Sequence, residues 1–270
     1  MEGFAALTDT MDLWLIALLL LLALIAAREL GGWLHGATMG RKDGDAEEET
    51  DKGFLLSGVL GLLALLTAFT FSLALNRYED RRVTVVAEAN AIGTAEMRVR
   101  LLSSPDSARL SRMLQDYART RLEYGRAAAA EKPGVAARSS ALRGKIQAAT
   151  VAALEPDART PLASLVAPAI NSVLDIGAER EALNDARIPG TILFALIAYN
   201  LLTAAMLGYA LTGARARQRP ATAVLLVLLT LAIAMILDLD RPQRGTIRID
   251  QTPMKQLVEG FAPVPQASLR

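Results

Sequence analysis

The sequence predicts an all-α membrane protein with four transmembrane helices and a helical extramembrane insert between the second and the third. Three observations predict this fold class. Four long apolar segments each approach or exceed the roughly 20 residues that cross a bilayer. Hydrophobic residues make up 52% of the chain and aromatic residues only 5%, because Leu and Ala fill these segments. The segment between the second and third is densely charged, so it cannot lie in lipid.

The N-terminal pair of spans is predicted within residues 1–76, at about 13–34 and 54–76. Trp14 and Trp33 bracket the first span at a spacing of 19 residues. A helix of that length covers roughly 29 Å, which matches the hydrocarbon thickness with one indole at each interface. The preceding residues include Asp9 and Asp12 but no Lys or Arg. We therefore expect an uncleaved anchor rather than a secretory signal peptide.

The C-terminal pair is predicted within residues 188–240, at about 188–212 and 220–238, and a tail follows at 241–270. Pro189 suits the first turn of the third span. The fourth span lies between Arg219 and Asp238, which enclose 18 uncharged residues. In lipid no water is available to form hydrogen bonds with peptide groups, so segments of this kind are expected to be helical.

The insert, residues 77–187, carries 17 basic and 14 acidic side chains and shows no strand-like alternation. The second span is expected to continue without interruption as a helix from about Phe54 to Leu102. Ser104 and Pro105 predict the start of a second helix that ends near Gly125. One face of this helix is expected to be buried, because its members recur at intervals of three and four: Leu110, Met113, Leu114, Tyr117, Arg121 and Tyr124. A third helix is expected over residues 136–154, after a turn at 127–135. Thr160 and Pro161 predict the start of a fourth, which leads into the third span.

Small and hydroxyl side chains dominate one face of the second span and of its continuation. Two interpretations are open: the face packs against helices of the same chain, because small residues allow close approach, or it faces the axis of a ring of subunits. In the ring, Phe69 or Phe71 would narrow the passage and could gate it by dewetting. The candidate pore-lining residues are Ser57, Gly61, Ala64, Ala68, Phe69, Phe71, Ser72, Asn90 and Thr94.

A second candidate site is a charge cluster at the ends of spans two and four. Two carboxylates directly at the end of a span need water or partners, and Pro242 is expected to end the fourth helix. An interfacial salt-bridge cluster and a site that holds or selects ions are both open interpretations. The members are Arg81, Arg82, Asp238, Asp240 and Arg241.

At these two places the sequence resembles the bestrophin-like family of bacterial membrane proteins. The matching stretches are residues 61–75, 88–95 and 237–248, and the Asp-Leu-Asp-Arg-Pro run at 238–242 is the most specific. The likeness covers roughly residues 50–255 and includes the layout of two spans, a helical insert and two spans. Bestrophins are pentameric anion channels whose second span lines the pore. The resemblance therefore implies a homo-oligomeric ion channel, with anions favoured.

Composition argues against several other functions. The chain has no Cys, so thiol catalysis, disulfides and zinc fingers are excluded, and its single His, His35, has no acidic ligands at helical spacing. No nucleophile and base, phosphate loop or metal-ligand set is present, so no enzyme, cofactor or metal is expected. The net charge of +1 provides no positive electrostatic field that would attract nucleic acid.

The expected partners are the lipid bilayer, other copies of the chain and inorganic ions. The alternative function is a membrane-anchored scaffold or signalling protein whose insert binds a protein partner. The acidic run at 43–51 lacks the ligand spacing of a calcium loop and is expected to be a solvated turn.

The expected location is the bacterial cytoplasmic membrane, and the side that the insert faces stays open. The basic loop at 215–219 favours short loops in the cytoplasm by the positive-inside rule. Arginines next to the other span ends, such as Arg77 and Arg244, favour the reverse, as does the bestrophin resemblance.

Overall fold

The structure, a computed structural model, describes residues 11–39, 46–102, 106–155, 161–211, 219–241 and 245–261. These residues form eight α-helices and no strands, which confirms the predicted all-α class. In chain order the helices are α1 (Leu13–Met39), α2 (Ala46–Val99), α3 (Ser107–Arg126), α4 (Lys132–Leu154), α5 (Pro161–Asp185), α6 (Gly190–Ala210), α7 (Arg219–Asp240) and α8 (Thr252–Gly260).

Four of the described segments are long and apolar enough to cross a membrane, as the sequence predicted. They are Leu13–Ala37, Gly53–Val99, Pro161–Ala210 and Pro220–Asp240. The second is α2 from Gly53 onward and contains an apolar stretch long enough to span, and α2 as a whole is a single helix of 54 residues. At 1.5 Å per residue this helix is about 80 Å long, far longer than a bilayer requires. The predicted continuation of span two as one long helix is confirmed, and it ends three residues before Leu102.

The chain divides into two compact units. The span unit contains residues 1–77 and 187–247, and the bundle unit contains residues 78–186 and 248–270. The described C-terminal residues from 248 onward belong to the bundle unit, whereas the sequence assigned everything after 240 to a tail.

Helix α1 packs against α6 and α7 in the span unit. Its approach to α6 is very close: a Cβ on Gly31 would lie 1.8 Å from the carbonyl oxygen of Ala205, and one on Gly208 would lie 1.8 Å from that of Arg28. Only glycine permits such backbone contact. Trp14 and Trp33 are 66% and 68% exposed, and their position at the two membrane interfaces stays a prediction.

The core of the bundle unit is apolar. Helix α3 contributes Leu110, Leu114 and Tyr117, all fully buried, from the face that the sequence predicted. Helix α8 was not predicted, and it adds the fully buried Met254. Helix α4 begins at Lys132, four residues before the predicted start, because Pro133 is compatible with a first helical turn.

Several predictions fall outside the described residues. They concern the acidic run at 43–45, the start signals Ser104, Pro105 and Thr160, the basic loop at 215–218, and residues 242–244 with Pro242 and Arg244. The side chains of residues 46–52 are also not described.

Candidate functional site

The candidate pore-lining residues lie on a surface of α2 that the protomer leaves open. Seven of the nine are exposed: Ser57, Gly61, Ala64, Ala68, Phe69, Ser72 and Asn90. Thr94 and Phe71 are half-buried. Among the candidates within the span, Phe71 is therefore the least exposed. Phe69, by contrast, is 66% exposed. The described part of the protomer therefore leaves this face available to lipid, water or another copy, and its role in a pore stays a prediction.

Two hollows flank this face in the bundle unit. One, of about 680 Å³, lies between α2 and α8 and is lined by Gly93, Pro253 and Leu257 among others. The other, of about 300 Å³, lies between α2 and α5. Asn90 and Thr94 line both hollows. Asn90 and Thr94 thus form a ridge between the two hollows.

The opposite side of α2 carries a buried ion cluster. Glu88 is fully buried and accepts a 2.6 Å hydrogen bond from Nε of Arg121 on α3. Its second oxygen accepts a 2.5 Å bond from Nη1 of Arg180 on α5, which is 2% exposed. One carboxylate therefore joins three helices through charge-assisted hydrogen bonds, the strongest kind in proteins.

The cluster extends to α4 and to the C-terminal segment. Glu181 accepts bonds from Arg121 at 2.6 Å and from Arg143 on α4 at 2.8 Å. Arg180 also donates to Oε1 of Gln251 at 2.8 Å, just before α8. Helices α2, α3, α4 and α5 are linked in this way. Because a broken buried ion pair is costly, the cluster fixes their relative positions.

Two tyrosines of α3 border the cluster. Burial raises the pKa of the Tyr124 phenol to about 12, although Arg121 lies 4.7 Å from the ring and lowers it. Burial also raises the pKa of Tyr117. Burial is the largest single influence on the pKa of Arg121 and lowers it, but Glu88, Tyr117 and Glu181 together outweigh that cost, so the pKa of Arg121 is raised. The cluster thus keeps its phenols neutral and its guanidinium charged.

Sequence reasoning did not identify this cluster. It placed Arg121 on the buried face of α3, and a charge on such a face needs a buried partner. That partner, Glu88, is 33 residues away, and Arg180 is a further 59 residues along. No local spacing connects residues so far apart.

In the span unit, the acidic residues at the end of α7 bind backbone and hydroxyl groups. Asp238 accepts from the Thr246 amide at 2.7 Å, the Thr246 hydroxyl at 2.6 Å and the Ile247 amide at 3.2 Å. Asp240 accepts from the Ile188 amide at 3.0 Å. Gly245 lies against the end of α7, since a Cβ on it would lie 2.7 Å from the Asp238 carbonyl oxygen.

The arginines of the predicted charge cluster are divided between the two units. In the span unit, Arg241 donates to the carbonyl oxygen of Met11 at 3.2 Å. In the bundle unit, the buried Arg81 donates to the carbonyl oxygens of Leu183 and Ala186, while the exposed Arg82 pairs with Glu79 at 2.9 Å. That these arginines and Asp238 and Asp240 form one cluster stays a prediction. Among the described residues no group of acidic and His side chains could hold a metal ion.

Apolar helices long enough to span a bilayer, together with a charged helical bundle, define a polytopic helical membrane protein. A sequence model of the bestrophin-like family, the Bestrophin-like domain, matches residues 6–254. The chain therefore belongs to the bestrophin-like family, as the resemblance implied.

Solved structures agree on the fold. A crystal structure of a bacterial bestrophin homologue from Klebsiella pneumoniae, phased by Zn-SAD, matches with a TM-score of 0.63 at 15% identity, over 90% of this chain and 94% of that chain. A single-residue variant of the Klebsiella pneumoniae homologue matches with a TM-score of 0.65 at 14% identity, over 92% of this chain and 96% of that chain. At such identities the likeness shows the shared fold. The comparison with curated proteins found no match.

Proposed function

We propose that this member of the bestrophin channel family is a homo-oligomeric ion channel in which the exposed face of α2 lines the conduction path. The observation that carries the proposal is the exposure of small and hydroxyl residues from Ser57 to Ser72, on one continuous helix that also exposes Asn90. A lipid-facing helix surface is normally covered by large apolar side chains, whereas small and hydroxyl groups suit close packing around a water-filled axis.

The proposed path has an apolar part and a polar part. Within the span, Ala64, Ala68 and Phe69 supply no fixed charge, so passage there depends on the width and wetting of the channel. In the bundle unit, Asn90 and Thr94 offer neutral hydrogen-bonding groups. Anions are the proposed ions because the family resemblance favours them, and the proposed location is the bacterial cytoplasmic membrane.

Flux into liposomes tests the proposal. Purified protein in vesicles should release chloride when a gradient is applied, and the mass of the detergent complex should exceed that of one protomer. Because the natural chain has no Cys, Ala68→Cys introduces a single thiol on the proposed path. A charged, water-soluble thiol reagent should then reduce the flux.

The matched control is Leu228→Cys on α7, an equally apolar span position that is 57% exposed. It should react poorly and its flux should not change. Vesicles that stay sealed to chloride and to potassium would remove the channel proposal.

A membrane-anchored scaffold is the second candidate, and the outer surface of α4 favours it. Val151 on that helix is 72% exposed, more than any other large hydrophobic residue in the described part of the bundle unit. A monomeric detergent complex together with sealed vesicles would favour the scaffold over the channel.

A further inference from the structure

The hollow between α2 and α5 has one charged end. Its volume is about 300 Å³, which is room for a small organic molecule but not for a peptide. Among the described residues that line it, Arg98 alone carries a charge. This side chain lies near the end of α2 and is half-buried.

The charge of Arg98 is not neutralised by the described part of the chain. Its Nη1 donates to the carbonyl oxygen of Leu165 on α5 at 3.0 Å, which holds the guanidinium group in place. No Asp or Glu among the described residues pairs with it. Its neighbours differ, because Arg82 and Arg100 each pair with a Glu of α2. Most N–H donors of Arg98 therefore stay available to a ligand.

Three neutral polar side chains line the same hollow, Asn90 and Thr94 from α2 and Ser172 from α5. None of the three has a side-chain hydrogen-bond partner among the described residues. The walls between them are apolar and include Ala91 and Ile176. Apolar walls with a few converging polar groups are typical of sites for small molecules.

The direction of α5 gives the hollow a polarity. Helix α5 runs antiparallel to α2, since Arg180, near its end, binds Glu88, whereas the carbonyl group that Arg98 binds lies near its start. Ile176 therefore lies at the end of the hollow away from Arg98. Thr94 is four residues from Arg98. That distance is about 6 Å along the helix, so a neutral hydrogen-bonding group lies one turn from the charge.

Acidic side chains on α5 limit the charge of a ligand. Asp175 and Glu179 are exposed and do not line the hollow. Both lie towards the end that Ile176 occupies, away from Arg98. A second negative charge on the ligand would approach them, which like charges disfavour. The surroundings therefore favour a single negative charge, bound at Arg98.

We propose that this hollow binds a small aliphatic monocarboxylate that carries a hydroxyl group. The carboxylate binds the Arg98 guanidinium group, whose planar fork matches it. The hydroxyl group bonds Thr94 and Ser172, and the aliphatic part lies against Ile176. This inference goes beyond conduction, since binding requires neither assembly of copies nor ion flux.

Saturation-transfer NMR on the full chain in detergent tests the site, with β-hydroxybutyrate as the probe. The wild type should bind the probe, and butyrate, which lacks the hydroxyl group, should bind more weakly. Arg98→Gln should weaken binding by about tenfold or more, because it removes a charge-assisted hydrogen bond. Arg82→Gln, the matched control, removes an exposed arginine of the same helix and should bind like the wild type. Equal affinities for Arg98→Gln and the wild type would overturn the site.

A second variant tests the hollow without changing its charge. Ser172→Leu fills the space and keeps Arg98, so it should also lose binding. Gln256→Leu, an exposed position in the hollow beside α8, should keep it. Loss of binding in both variants would contradict a site between α2 and α5.

Competition identifies the class of ligand. Succinate and inorganic phosphate, which carry more negative charge, should displace the probe less well than butyrate does. Equal displacement by either one would overturn the monocarboxylate assignment, and a wild type that binds neither probe nor butyrate would overturn the inference as a whole. Binding by a protein whose vesicles stay sealed would retain this site and remove only the channel.

Discussion

Replacing Glu88 by Gln should strongly destabilise the bundle unit. The substitution keeps the shape of the side chain but removes the carboxylate that Arg121 and Arg180 share. Both guanidinium groups stay almost completely buried, at 0% and 2% exposure. The amide of Gln can accept one of the two bonds, but its NH₂ group then faces a second donor.

The magnitude follows from this burial. Removing one partner of a buried ion pair costs about 3–5 kcal/mol, because it leaves an uncompensated charge away from water. A typical domain is stable by only about 5–15 kcal/mol. For a chain of this size, about 1 kcal/mol lowers the melting temperature by roughly 2–4 °C. The Glu88→Gln variant should therefore melt about 6–20 °C below the wild type.

Thermal unfolding in detergent, followed by circular dichroism, measures the effect. Glu79→Gln is the matched control, because it lies on the same helix and removes an exposed pair with Arg82. Exposed pairs contribute about 0–1 kcal/mol, so this variant should melt close to wild type. Adding Arg180→Gln to Glu88→Gln removes an unpaired charge and should recover part of the loss. Equal melting temperatures for Glu88→Gln and Glu79→Gln would refute the reasoning.

Three further predictions concern other features. Gly208→Ala places a Cβ 1.8 Å from the Arg28 carbonyl oxygen and should destabilise the span unit by about 2 kcal/mol or more. In the control Gly36→Ala the new Cβ meets open space, so the melting temperature should equal or exceed that of the wild type. Burial raises the pKa of Tyr124 to about 12, whereas an unfolded Tyr ionises near pH 10. The contribution of Tyr124 to stability is therefore complete below pH 10 and is lost as the pH rises towards 12. The Tyr124→Phe variant should show a smaller decline in melting temperature over this pH range. Asp238→Ala leaves the donors of the following turn without an acceptor and should cost about 1–3 kcal/mol, seen as a lower melting temperature and faster proteolysis of the turn.

Much of the fold could be predicted because membrane spans obey a local rule. A long uncharged segment must be helical in lipid wherever it lies in the chain, so the four spans and the continuous α2 followed from composition alone. The start of α4 was placed too late because Pro133 and Gly134 indicate a turn, yet proline is equally suited to a first helical turn. Helix α8, only nine residues long, carries too few periods to stand out in the sequence.

The candidate site could be predicted only in part, for a related reason. Small residues repeat at helical spacing on α2, so its exposed face is visible in the sequence. The ion cluster depends on three helices meeting, and Glu88 and Arg180 are 92 residues apart. The one local indication was a charge on the apolar face of α3, Arg121, which shows that a partner is needed without showing which residue supplies it.

The buried cluster and the exposed face of α2 are connected by helix geometry. Glu88 and Asn90 are two residues apart, which rotates their side chains by about 200° around the helix axis. The bonds that hold Glu88 to α3 and α5 therefore fix the rotation of α2 and direct Asn90 outward. A turn of α2 that moved Asn90 away from the surface would have to break bonds of 2.5 and 2.6 Å between buried charges. The cluster thus acts as a rigid support for the proposed conduction face, so Glu88→Gln should alter chloride flux as well as stability, whereas Glu79→Gln should alter neither.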